Sequence, residues 1–380
     1  MKICMDYQPA VAQCAGIGRY TRVLASELAK LLDSDDELRL FYCDFKRAGK
    51  RHCVDGAEYV TFRAMPGALM QKMWHHLRFP PFNWTAGDAD IYHFTNFTDR
   101  PITRGKSVVS IHDMSFVRFP QFAEKRNLKY LNAGLKRSAK NADAIITISE
   151  FSKAEIEELL PEARGKVYVT YLGIGEDFKP ASEVETAAVR RELGLSRPFI
   201  MTLGTVEPRK NLEFLVDVFE QVAEDDVDLV IAGALGWKSR SILERFENTR
   251  FPDQLHYLRF VPDGKLAALY SAASLFVMPS FYEGFGFTPL EAMACGTPVL
   301  TSTGGSIPEI VGSAATVIKG FDLYEWVDAV RAILGDSARR VEMSRTGLER
   351  SAGFRWENTA RETLAIYKKV FGSKKGATGL

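Results

Sequence analysis

The stretch Pro279-Ser280-Phe281-Tyr282-Glu283-Gly284-Phe285-Gly286-Phe287-Thr288-Pro289-Leu290-Glu291-Ala292-Met293-Ala294-Cys295-Gly296-Thr297-Pro298 decides how the chain is read. The apolar run 274–278 before it has the length of a buried strand, and 299–302 after it reads as the next one. Between them a glycine loop, Gly284 and Gly286, opens onto a helix. Thr288 is placed to cap that helix, Pro289 suits its first position, Glu291 falls three residues after the cap, and Gly296 ends it. A glycine loop feeding a helix start leaves backbone N–H groups that hold an anion, most often a phosphate. The flanking carboxylates, Glu283 and Glu291, do not suit a phosphate. As pure acceptors they suit hydroxyl groups. Phosphate with hydroxyl-rich groups on both sides describes a nucleotide sugar. For each glutamate singly a plainer reading stays open: Glu291 completes a capping box with Thr288, and Glu283 is an exposed loop charge. Neither gives the glycines a purpose.

Working outward, a second cationic motif precedes another helix. Pro198–Gly204 reads as a strand, Thr205-Val206-Glu207-Pro208-Arg209-Lys210-Asn211 as a loop, and 212–222 as a helix. Two cations at a helix N-terminus oppose its dipole at up to ~1 kcal/mol each. A bound diphosphate reverses that sign, because Arg pairs bidentately with phosphate oxygens. The alternative is a pair of solvated tips.

The whole chain sets the frame. At 380 residues two domains are expected, and 46% hydrophobic with 26% charged residues is ordinary for a globular protein. A formal net charge of +1 gives no electrostatic footprint for nucleic acid. Five scattered cysteines without a Cys-x-x-Cys pair fit a reducing compartment. Residues 1–6 read directly as a strand rather than a leader, and no apolar run approaches the ~20 residues of a membrane span. A cytoplasmic protein is expected. The triplets Asp33/Asp35, Asp88/Asp90 and Asp226/Asp228 fit turn chemistry better than a metal site, so neither metal nor cofactor is expected.

The first half repeats the alternation of strands and helices. Strands are expected at 38–43, 90–94, 107–111, 144–148 and 166–171, and in the second half at 228–232 and 256–261. Ala15-Gly16-Ile17-Gly18 is a glycine loop before a helix over 19–32, equally readable as a tight turn. His112-Asp113 follows a strand at its carboxyl end, where parallel sheets place ligands, and His93 sits near the end of the preceding strand on the same rim. Ser149 reads as a helix cap. The stretch Met65–Trp84 is aromatic, basic and free of acids, with Trp74 and Arg78 at its centre. It suits either core packing with a solvated basic edge or a membrane interface holding a lipid-linked substrate. Residues 173–197 read as a linker and 372–380 as a mobile tail.

Several of these motifs together resemble the retaining glycosyltransferases of family 4. Glu283 to Glu291 resembles that family's Glu-x7-Glu motif, continued by Glu-Ala-Met-Ala-Cys-Gly-Thr-Pro-Val. Glu207-Pro-Arg-Lys-Asn211 resembles its phosphate-binding pair, Ile111-His112-Asp113 the motif of a histidine beside the donor sugar, and Gly16 its Gly-Gly-x-Gly loop, with Ala15 in place of the first glycine. The resemblance implies the GT-B fold: two Rossmann-like α/β domains facing across a cleft, the last helix crossing back. The acceptor domain would be 1–180 with 356–372, and the donor domain 196–355. It implies transfer of a hexose with retention. Arg209, Lys210 and Gly16 would hold the diphosphate with the loop Gly284, Phe285, Gly286, Phe287 and Thr288. Glu283 would hold the sugar, Glu291 the ribose, and the backbone at Val261 the base, while His112 would position the sugar. His93, Trp74 and Arg78 would lie on the acceptor side. The run from Ile111 to Pro120 looks most like bacterial mannosyltransferases of surface polysaccharide. That suggests GDP-mannose, a lipid-linked glycan acceptor as in O-antigen synthesis, and a position in the cytoplasm or resting on the membrane's inner face. A UDP-sugar donor, a nucleotide-sugar epimerase or hydrolase of the same fold, and a non-catalytic binding protein are the alternatives.

Overall fold

The computed structural model describes residues 1–13, 16–47, 53–122 and 125–373, without the side chains of 125–127 and 129–133. Ala15 and the tail from residue 374 lie outside the described residues. The chain forms two compact units. One holds Met1–Val117, Lys125–Gly173 and Trp356–Leu380; the other holds Arg118–Glu124 and Ile174–Arg355.

The first unit runs β1 (Lys2–Asp6), α1 (Gln8–Ala12), α2 (Ile17–Leu31), β2 (Glu37–Cys43), β3 (Glu58–Phe62), α3 (Gly67–His76), α4 (Phe82–Ala86), β4 (Ile91–Phe94), β5 (Lys106–Ser110), α5 (Ser115–Arg118), α6 (Lys125–Asn141), β6 (Ala144–Thr147), α7 (Glu150–Leu159) and β7 (Val167–Val169). The second runs α8 (Glu183–Glu192), β8 (Phe199–Leu203), α9 (Leu212–Val222), β9 (Asp228–Ala232), α10 (Arg240–Glu247), β10 (Leu255–Tyr257), α11 (Asp263–Ala272), β11 (Leu275–Met278), α12 (Phe287–Ala294), β12 (Val299–Ser302), α13 (Ile307–Val311), β13 (Thr316–Ile318), α14 (Leu323–Gly335) and α15 (Ser337–Ser351). The last helix, α16 (Trp356–Gly372), belongs to the first unit.

Both sheets are parallel. Their orders are β3-β2-β1-β4-β5-β6-β7 and β10-β9-β8-β11-β12-β13. Each reverses direction beside its first strand, so each has the doubly wound Rossmann topology, whose ligands lie at the carboxyl ends of the strands near that reversal. The central strands are buried on both faces: β4, β6, β9, β11 and β12 have no exposed residue. That explains why they read as unbroken apolar runs. The second unit's core joins β8, β9, β11 and β12 to α9, whose Leu215, Val216, Phe219 and Val222 face Trp326, Val330 and Ile333 of α14.

Two of the four edge strands, β3 and β13, are not expected from sequence. An edge strand has one ladder partner and one solvated side, so its apolar signal is short. The strand expected over 256–261 stops at Tyr257, because Arg259 turns left-handed (φ 52°) and gives its carbonyl to the Gly233 amide. The linker expected over 173–197 contains α8, started by a capping box between Ser182 and Glu185. Ile174 N–H donates to Phe354 O at 3.0 Å and the Thr359 hydroxyl to Tyr171 O at 2.6 Å. The two late passages of the chain between units are thus tied side by side within each unit.

Candidate functional site

In the second unit the chain leaves β8 and makes a single 3-10 turn, Pro208–Lys210, before left-handed Asn211 (φ 55°) starts α9. Arg209 and Lys210 therefore lie on the turn ahead of the helix rather than in its first turn. Both are already matched by acids. Arg209 donates through Nε and Nη2 to Glu207 Oε1 at 3.0 and 2.6 Å, and Nη1 lies 2.8 Å from Glu283 Oε2. Lys210 Nζ donates to Glu283 Oε1 at 2.8 Å. The alternative of two solvated tips does not describe them: carboxylates from two loops hold both cations.

Glu283 is 8% exposed. Burial alone would raise its pKa, but the Arg209 and Lys210 charges and their hydrogen bonds outweigh burial and bring it down to about 2. It is an ionised bridge between the two cations, not an exposed loop charge. Its main chain is fixed as well. Arg209 Nη1 donates to Tyr282 O, Phe281 N–H to Arg209 O, and Ser306 Oγ to Glu283 O at 3.0 Å. Gly305 passes so close that a Cβ there would stand 2.3 Å from Glu283 O. Sequence reasoning gave no role to Glu207, although its place two residues before Arg209 is the signal. Glu207 is buried, and its Oε2 lacks a hydrogen-bond partner among the described residues.

The loop then reaches Gly286, left-handed at φ 107° and the N-cap of α12. Thr288 lies inside the helix and donates to Met278 Sδ at 3.5 Å. No side chain caps α12, so the expected capping box is absent. Glu291 is buried, and its Oε2 accepts from Tyr270 at 3.1 Å, an interaction the sequence pattern did not suggest. Gly284, Phe285 and Phe287 complete the loop, with Phe285 edge-on to Phe287 at 5.3 Å. Val261 lies beyond the shortened β10, half-buried beside Phe260, which is 74% exposed.

In the first unit Gly16 is the N-cap of α2 (φ 55°), and a Cβ on Gly18 would stand 2.1 Å from Gln13 O. His112 follows β5 and is buried; its Nε2 lies 2.9 Å from Thr95 O. A carbonyl only accepts, so Nε2 carries the proton and the ring is neutral, consistent with burial lowering its pKa. His93 is not on the rim. It is fully buried inside β4, with Nδ1 2.6 Å from the Tyr367 hydroxyl and Nε2 2.7 Å from Ser110 Oγ. Burial first, and neighbouring His112 second, push its pKa down to about 3. Trp74 is also core: 3% exposed, donating to Pro80 O and lying under Arg100 at 5.4 Å. Arg78 grips Asp99 bidentately at 3.0 and 2.9 Å. An open acceptor-side position does not describe His93 or Trp74, because their side chains face the sheet core. Of the Asp-x-Asp triplets, Asp88 pairs with Arg104, and Asp226 and Asp228 with Arg197.

Comparison with known proteins fits this geometry. Residues 185–350 match the family described as Glycosyl transferases group 1, and residues 15–178 match Glycosyltransferase Family 4. The O-antigen chain mannosyltransferase B of Escherichia coli is 32% identical over 97% of this chain and 100% of its own length. A D-inositol 3-phosphate glycosyltransferase of Corynebacterium urealyticum is 30% identical over 60% of this chain and 57% of its own. Among solved structures, a sucrose-phosphate synthase from Thermosynechococcus elongatus superposes with a TM-score of 0.79 at 21% identity, covering 98% of this chain and 100% of that one. WaaG, a glycosyltransferase involved in lipopolysaccharide biosynthesis, gives 0.73 at 16%, covering 98% and 100%. These structural likenesses carry the fold, two Rossmann-like domains of the GT-B type. With a near full-length relative and one family match on each half, the chain belongs to the group 1 (family 4) glycosyltransferases and is a transferase enzyme.

Proposed function

We propose that this glycosyltransferase moves mannose from GDP-mannose, with retention at the anomeric carbon, to a lipid-linked glycan acceptor in bacterial polysaccharide synthesis of the O-antigen kind. The donor and pathway rest on kinship with the O-antigen mannosyltransferase. The observation that carries the chemistry is the closed cluster Glu207–Arg209–Glu283–Lys210 beside the Gly286 helix start. Its formal charge is balanced. Donor binding therefore draws on fixed N–H groups and helix-start amides, not on a net positive pocket. Charge growing on the departing diphosphate would recruit the Arg209 and Lys210 N–H groups. Glu283 and Glu291 would accept from sugar hydroxyls, and Val261 would contact the base. No metal or cofactor enters this reading, and a donor phosphate oxygen takes the acceptor proton. His112 and Gly16 stand in it on the motif resemblance.

The enzyme would work in the cytoplasm, resting on the membrane's inner face. Among the described residues no helix is long and apolar enough to cross a membrane. Leu69, Leu77, Phe79 and Trp84 are 50–69% exposed in a stretch that carries Lys72 and Arg78 and no acid. Leu69, Lys72 and His76 fall on one outward stripe of α3, and Phe79 packs edge-on to Trp84 at 5.6 Å. Apolar and cationic side chains together suit an anionic lipid surface.

A panel of GDP, GDP-mannose, UDP and UDP-glucose in thermal-shift and nucleotide-release assays tests the donor. GDP-mannose is expected to stabilise the protein and to release GDP only with a polyprenyl-linked glycan present. Stabilisation by the uridine compounds alone overturns the choice of base, and release without acceptor points to a hydrolase. Vesicles of phosphatidylcholine with phosphatidylglycerol are expected to sediment the enzyme, and Phe79→Ser with Trp84→Ser to abolish this.

A further inference from the structure

Residues 118–124 have an unexpected address. The chain before and after them belongs to the first unit, yet this short strap packs as part of the second. Its exposed residues are Arg118, Pro120 and Gln121, whereas Phe119 and Phe122 turn inward. Phe122 stacks on Phe281 at 5.3 Å and 23°, Phe119 stacks on Phe122 at 5.6 Å and 14°, and Phe119 meets Tyr282 edge-on at 5.7 Å. The stack continues inward: Phe281 touches Phe321 at 4.9 Å, and Phe321 touches Phe214 of α9 at 5.6 Å. The strap's carbonyls are held too. Trp237 Nε1–H donates to Phe122 O and Lys238 Nζ to Gln121 O.

Two loops are therefore pinned by one segment. The aromatic side holds Phe281 and Tyr282, immediately before Glu283. The polar side holds Trp237 and Lys238, in a loop whose Gly236 amide donates to Val206 O at 3.0 Å while Val206 N–H donates to Ala234 O at 2.9 Å. Between the two loops lies the 3-10 turn of Arg209 and Lys210. None of these strap residues belongs to the ion cluster, but Phe281 and Tyr282, which they hold, lead directly into Glu283.

We infer that Phe119 and Phe122 are positioning residues for the donor site, stapling the Glu283 and Trp237 loops on either side of the Arg209–Lys210 turn. The inference rests on the donor-site reading above. With the staple removed, the free enzyme spends part of its time with these loops misplaced, and donor binding must select the ordered fraction. Apparent affinity falls by that fraction, while the bound complex keeps its geometry.

Phe122→Ala, Phe122→Tyr and Trp237→Phe, which keeps a ring but deletes the N–H donor, test this. Phe122→Ala is expected to raise KM for GDP-mannose about tenfold with kcat within threefold of wild type, to weaken GDP binding by the same factor, and to speed amide exchange over 281–286. Phe122→Tyr should restore all three, and Trp237→Phe should lie between. A Phe122→Ala protein that loses melting temperature but keeps wild-type KM and exchange at 281–286 overturns the inference. If Phe122→Ala does not fold, unchanged KM and exchange in Trp237→Phe overturn it instead. The exchange measurement needs no substrate, so its result stands apart from any failure of GDP-mannose as donor.

Discussion

The two units share one strand order and differ in what they bury at its centre. In the first, a neutral chain runs from Tyr367 through His93 and Ser110 to Tyr20, with links of 2.6, 2.7 and 2.9 Å. In the second, an ionised chain runs from Glu207 through Arg209 and Glu283 to Lys210. The first ties α16 and α2 to the sheet and stays uncharged, because burial holds His93 at about 3. The second stays charged, because its cations hold Glu283 at about 2. The same topology thus carries a structural polar chain in one unit and the proposed donor site in the other. In the first unit the chain is built on side chains within β4 and β5, in the second on the loops that follow β8 and β11.

Breaking the ionised chain should have the largest effect. Arg209→Ala removes the cation proposed to meet the diphosphate and leaves Glu207 and Glu283 short of a cation. We expect kcat/KM with GDP-mannose to fall about a thousandfold, and near-normal turnover would contradict the assignment. Acid should find the neutral chain next. His93 has a folded pKa below its unfolded value, so the stability of its neutral form is complete above about pH 6.5 and is lost as pH falls toward about 3. Below pH 6.5 it contributes a slope of about 1.4 kcal/mol per pH unit. Glu283 is also depressed, so its stabilisation is present above its unfolded value near 4.5 and is lost only as pH falls toward 2. Urea unfolding from pH 7 to pH 5 should show the histidine slope, and His93→Gln should flatten it.

A smaller change sharpens the contrast. Tyr367→Phe deletes one buried hydrogen bond and should cost about 1–2 kcal/mol in urea unfolding while leaving KM for the donor unchanged. A shifted KM would mean that the neutral chain reaches the donor site. Thr288→Ala should do least. The residue caps nothing, so a loss under about 0.5 kcal/mol is expected, against about 1 for a true N-cap.

Much of this was legible in the residues. The central strands announce themselves as apolar runs, α9 as its periodic face, and Ser149 as the cap it proves to be, accepting from the Ser152 amide. The Glu283–Glu291 loop and the Arg209–Lys210 turn were visible because glycines and cations in such places need a reason. The edge strands β3 and β13 and the polar helix α8 are not legible, because their stability comes from one neighbour or from a cap and leaves little hydrophobic pattern. Glu207 was passed over because a carboxylate beside an arginine in sequence does not announce a hydrogen bond to it.

The sequence by itself determined that the chain alternates strands and helices in two halves, and that its chemistry gathers at two glycine- or cation-bearing loops, since periodicity and backbone demands are local. Only the tertiary structure decided which charges meet. Glu283 and Lys210 are 73 residues apart, as are Arg209 and Tyr282, and the Tyr367–His93 bond spans 274 residues. Pairing at such separations depends on strand order and burial. Those same two factors put His93 and Trp74, both acceptor-side candidates, in the core, and set Phe119 and Phe122 against the loop of Glu283.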